Sequence, residues 1–122
     1  MNEDKKEFIE LAWAKGRKIE GYDSDLFRKD ACGAWMRKDL YGEIHNMYGW
    51  GIDYIFPKVM GGTLVADNIR ALNYHNIISK GRDYPSYKAV YTSEGVQNIE
   101  TEMYLAVNIK IRERLKKIYP DA

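Results

Sequence analysis

The sequence has little of several things that would narrow its identity. Among 122 residues there is one cysteine, Cys32. That excludes an internal disulfide and any structural zinc held by paired cysteines. Cys32 sits among small and aromatic residues in DACGAW, where a buried structural thiol is expected rather than a reactive one. No apolar run approaches the roughly 20 residues that cross a bilayer. MNEDKKEF carries mixed charge and lacks the apolar core of a secretory signal, so no membrane partner and a cytosolic location are expected. An excess of one charge is also missing. Nineteen Lys and Arg against 18 Asp and Glu give a net charge of +1, which does not suit a protein that coats duplex DNA nonspecifically. With two histidines, His45 and His75, imidazole chemistry has only two sources.

What remains is an ordinary globular composition, 45% hydrophobic and 30% charged, of a length that suits a single domain over 1–122. There are no internal repeats, low-complexity segments or linkers. Over 3–15 the apolar residues Phe8, Leu11 and Ala12, with Ile9 and Trp13 alongside, predict a helix that Gly16 stops. The turn-rich GYDSD at 21–25 predicts a cap on a short helical turn over 25–30. Residues 33–37 and 49–55 read as strands, with Trp35 and Trp50 covering the same core face. Pro57 ends the second strand because it has no ladder donor. Gly61-Gly62 marks a turn, 68–72 a brief strand and 73–80 a two-turn helix before Gly81. In the tail, 87–92 alternates as a strand, a second strand runs to Val107, and Asn108 caps a helix over 109–118.

The segment 50–82, WGIDYIFPKVMGGTLVADNIRALNYHNIISKGR, combines these signals. Its order is Asp53, Pro57, Gly61-Gly62, Asn68, Leu72, Asn76 and Lys80. This resembles the core of HNH nucleases, the His-Me finger or ββα-metal fold. RKDACGAWMRKDLYG and YGWGID upstream extend the likeness to small bacterial and phage HNH proteins over about residues 20–85. The resemblance implies an α+β fold: an HNH-like ββα-metal core at 50–82, an N-terminal helix, and a C-terminal strand and helix extension over 88–122.

The resemblance also implies roles. Asp53 and Asn76 would face one another as ligands of one cation, and their oxygen donors suit Mg²⁺ or Mn²⁺ rather than zinc. Asn68 would brace the loop through backbone hydrogen bonds, and Lys80 and Arg82 would contact phosphate. One position departs. Where the family has Asp-His, this chain has Asp53-Tyr54, so the base that activates water is missing. A phenol of ordinary pKa near 10 is only about one part in a thousand ionised at pH 7. A positioned base contributes roughly 10²–10⁴-fold. His75, next to Asn76 on the same helix, is expected to point away. Two substitutes remain: Tyr54 itself, if a nearby cation depresses its pKa, and His45, if it folds over the site.

Three readings follow. The first is a degenerate, catalytically impaired HNH-fold protein whose groove at Tyr54, Asn68, Asn76, Lys80 and Arg82 binds a phosphate-bearing ligand, nucleic acid or nucleotide, or a protein partner. A phage factor acting against host defences is one setting for it. The second is an active divalent-metal-dependent DNA endonuclease that uses a substitute general base, Tyr54 or His45. The third is a structural or interaction domain in which Asp53 and Asn76 have no ligand. If the rest of the metal site is intact, Tyr54→His restores cleavage.

Overall fold

The computed structural model describes residues 2–122, with side chains described from Lys5 onward. Its architecture is α+β: three helices and three two-stranded antiparallel sheets among the described residues. No helix there is long and apolar enough to cross a membrane.

The first helix, α1 (Asn2–Ala14), lays Ala12 and Trp13 against Trp50, Ile69 and Ala71. Trp13 and Trp50 meet with ring centroids 5.1 Å apart. Gly16 follows the helix at a close approach, since a Cβ there would lie 3.0 Å from the Arg28 side chain and from Trp13 O. The next segment departs from expectation. Residues 25–30 contain β1 (Phe27–Lys29), paired with β2 (Trp35–Arg37), and no helical turn over that range. The capping side chain anticipated in GYDSD makes only a local turn, with Asp23 Oδ1 accepting from Asp25 N at 2.9 Å.

The middle of the chain forms a strand pair and helix. β3 (Trp50–Tyr54) pairs in antiparallel register with β4 (Ile69–Asn73), Asp53 lying opposite Arg70 and Tyr54 opposite Ile69. Asn68, expected to open that strand, sits one residue before it in a 3-10 turn. The helix α2 (Tyr74–Lys80) begins at once, its N-cap Asn73 accepting from His75 N. α2 crosses the face of β3 that carries Gly51 and Asp53. A Cβ on Gly51 would lie 2.7 Å from the Tyr74 ring, so glycine is what admits the tyrosine. Trp35 and Trp50 do not share a core face. Trp50 packs with α1, whereas Trp35 meets Tyr22 and Phe27.

In the tail, β5 (Ser86–Glu94) and β6 (Gln97–Ala106) form a hairpin, and α3 (Ile109–Ile118) follows with Asn108 Oδ1 accepting from Lys110 N at 2.8 Å. These elements share a core with the middle segment: Ile55, Phe56 and Leu72 pack with Tyr87, Ala89, Val107, Leu115 and Tyr119. Tyr119 closes over the loop after β3, its hydroxyl accepting from Thr63 N at 3.0 Å.

A buried polar network locks these parts in place. Asp30, 1% exposed, follows β1. Its Oδ1 accepts from Cys32 N and Ala34 N, and its Oδ2 from Asn73 N and the Asn76 amide. Asn73 and Asn98 both donate to Trp35 O and Met47 O. Burial pushes the Asp30 carboxyl above the ordinary aspartate range, outweighing the four N–H donors that pull the other way.

Candidate ligand-binding cleft

β3 leads Asp53 and Tyr54 to the mouth of a cleft of about 280 Å³. The loop supplies Pro57, Lys58 and Val59 to its wall, and the α2 end supplies Ile77, Gly81 and Arg82. The loop is held by Asn68, which is fully buried. Asn68 accepts from Phe56 N at 2.7 Å and donates to Phe56 O and Thr63 O, both at 3.1 Å. It contacts the loop backbone and not the cleft. Gly62 allows this closure, because a Cβ there would stand 1.8 Å from Phe56 O.

Asp53 does not face the cleft as a free carboxylate. It is buried, with Oδ2 2.9 Å from Arg70 Nε and Oδ1 3.3 Å from Lys80 Nζ. Lys80, 1% exposed, also donates to Tyr54 O at 3.1 Å and Ile55 O at 3.2 Å, so its ammonium ties the end of α2 to the end of β3. Burial lowers the Lys80 pKa and Arg70 lowers it further, against the pull of Asp53. Burial likewise opposes the charge of Arg70, but Asp53 and Tyr87 together outweigh it and the guanidinium stays protonated. Two cations and one carboxylate make a closed arrangement.

Asn76, expected opposite Asp53, is turned into the core. Its Nδ2 donates to Asp30 Oδ2 at 3.1 Å and Tyr91 O at 2.9 Å. Its Oδ1 accepts from Val90 N and Tyr91 N. All four hydrogen-bonding positions of the amide are used, three in docking α2 onto β5 and the fourth on Asp30. The helix residue that lines the cleft is Ile77, one position on. Successive helical side chains diverge by about 100°, so an error of one residue exchanges the cleft face for the core face.

Lys80, expected to touch phosphate, is spent on Asp53 and two carbonyls, which leaves Arg82 and Lys58 as the exposed cations of the cleft. Lys58 Nζ lies 5.9 Å from the centre of the Tyr54 ring. His75 stacks on Tyr91 at 4.0 Å with rings 6° from parallel, away from the cleft. His45 is exposed in the turns over 43–48 and is not part of the cleft wall.

These donors do not fit an Mg²⁺ or Mn²⁺ ion. Such an ion needs carboxylate oxygens with charge to spare, and the Asp53 oxygens are each matched to a cation. Ile77 offers no donor atom. Among the described residues no three His, Cys, Asp or Glu side chains cluster as a metal site. Asp30 was not legible as a functional or structural acid. A cue was the buried-type asparagines in LNYHN, which need an acceptor for their N–H groups.

No protein-family model, curated protein or solved structure matches the chain.

Proposed function

We propose that this chain is a degenerate HNH-like protein that binds a phosphate-bearing ligand in the cleft and does not cleave it. The ligand is a nucleotide or the phosphorylated end of a nucleic-acid strand. The observation that carries this reading is the closed Asp53–Arg70–Lys80 group at the end of β3. It stands where the family resemblance puts the metal-holding carboxylate, and it leaves no net negative charge for a cation. The strand–loop–strand–helix order of 50–80 supports the kinship, and Tyr54 and Ile77 replace the two side chains that catalysis needs.

A phosphate is favoured because the exposed charges of the cleft, Lys58 and Arg82, are both positive. The half-buried Tyr54 ring offers a stacking surface for one base. A volume of about 280 Å³ is at the small end of ligand pockets, which favours a compact ligand over a length of duplex.

The test is fluorescence polarisation with a 5′-phosphorylated single-stranded oligonucleotide, competed by mononucleotides. Joint replacement of Lys58→Ala and Arg82→Ala is expected to weaken binding by roughly tenfold or more, the scale of one or two charge-assisted contacts. Wild-type affinity in that variant sinks the assignment. Supercoiled plasmid with Mn²⁺ is expected to stay intact, and nicking that Asp53→Ala abolishes would restore the nuclease reading. The expectation that Tyr54→His alone revives cleavage is revised, because Asp53 remains paired and Ile77 still offers no ligand.

A further inference from the structure

A second concavity, about 350 Å³, opens at a different seam of the molecule, where the end of α1, the turn before β4, β4 itself and α3 converge. Three cations line it, Lys15, Arg70 and Arg114, against one carboxylate, Asp67. Taken with Asp53 and Lys80, to which Arg70 is tied, four positive charges less two negative leave an excess of two, in a chain whose total is +1. Lys15, Asp67 and Arg114 make no ion pair among the described residues. The Lys15 ammonium instead donates to Ala66 O and, at 2.7 Å, to Ile69 O, which fixes it at the rim.

Arg70 is the unusual member. It is 8% exposed, its Nε is taken by Asp53, and its Nη2 is buried with no hydrogen-bond partner. A guanidinium carries five N–H donors, and an unmet donor in the interior is costly. Arg70 lines the cavity, so its charge is presented to an oxyanion there, and a small shift of the side chain would bring the unmet N–H to that acceptor. Ile55 and Ile111 form apolar walls beside the charges.

We propose that this cavity is an anion site that takes the phosphate group of a small phosphomonoester, with Arg70 and Arg114 as its charged contacts. A phosphate ester carries about −1.5 to −2 at neutral pH, which matches the local excess of two. The site is separate from the cleft at Tyr54 and does not depend on the ligand proposed there, although Arg70 borders one and holds Asp53 in the other.

Titration calorimetry and amide chemical shifts with two probes, inorganic phosphate and phenyl phosphate, test it on the full chain. Both probes are expected to shift the amides around Lys15, Asp67 and Arg114, and tighter binding of phenyl phosphate identifies an esterified ligand over the free anion. Arg114→Glu, on an exposed helix position, is expected to weaken binding by roughly tenfold or more. Asp67→Asn, which removes the opposing charge, is expected to tighten it several-fold. Lys58→Ala with Arg82→Ala is expected to change nothing here, so failure of the cleft and failure of this site are separable. Absence of binding by both probes overturns the proposal, as does unaltered affinity in Arg114→Glu.

Discussion

Two buried aspartates in this molecule meet the same physical problem in opposite ways. Asp53 sits between two cations, Arg70 and Lys80, so its charge is cancelled locally. Asp30 has no cation against it and is surrounded by four N–H donors from two stretches of chain, 32–34 and 73–76. The first arrangement is an ion group that breaks when either partner goes. The second is a hydrogen-bond hub whose carboxylate cannot be exchanged for an amide without facing donor against donor. The contrast teaches that the acid at the end of β3 is neutralised by its cation partners, while an acid outside the cleft organises the fold.

The largest expected effect follows from the hub. Asp30→Ala leaves four buried donors unmet, and at about 1–3 kcal/mol for each unsatisfied group the loss is on the order of 4 kcal/mol or more after relaxation. Urea unfolding measures it. A loss under about 1 kcal/mol would mean the hub is not structural and break the contrast.

Asp53→Ala is expected to cost roughly 3 kcal/mol, because it leaves buried cations uncompensated. Adding Lys80→Met removes one of those cations, and the double variant is expected to be more stable than the sum of the single changes by about 1–2 kcal/mol. Strict additivity would show that the 3.3 Å contact carries no energy.

The two acids also differ under titration. The pKa of Asp30 is raised by burial above the ordinary 3.8. As pH falls through that raised value the native state takes up a proton before the unfolded chain does. The cost of keeping Asp30 ionised is therefore fully present above the raised value, shrinks as pH falls through it, and is gone below the ordinary one. The carboxyl-carbon shift of Asp30 followed against pH is expected to show a midpoint above 3.8, and a midpoint below it would reverse the sign. The neighbouring Cys32 thiol, pushed up to about 12 chiefly by burial, is expected to resist a thiol reagent at pH 8 until the protein unfolds. Stoichiometric labelling of the native protein within minutes would show that this corner is open.

The same two residues show what was legible. β3, β4 and α2 were readable because strand alternation, Pro57, the glycine pair and the short helix are local signals. The strand ending near Val107 and the helix of Ile109–Ile118 were readable from period and cap. β1 was not, because GYDSD supports a helical turn as well as a bend, and the pairing with Trp35–Arg37 decides between them. Asp30 carries no local signal of its role, since its burial depends on Asn73 and Asn76, more than 40 residues away. Asn76 reads as a cleft residue because its type suits a ligand. Its direction is fixed by the β5 backbone that it docks against.

The most direct test of the claim that Asp53 is closed to metal is addition of Mn²⁺ to the ¹⁵N-labelled protein. Paramagnetic broadening near a bound ion is local, so it reports the place as well as the binding. No selective loss of the Asp53, Tyr54 and Ile77 amides is expected at stoichiometric Mn²⁺. Selective loss of those three, abolished in Asp53→Ala, would contradict it.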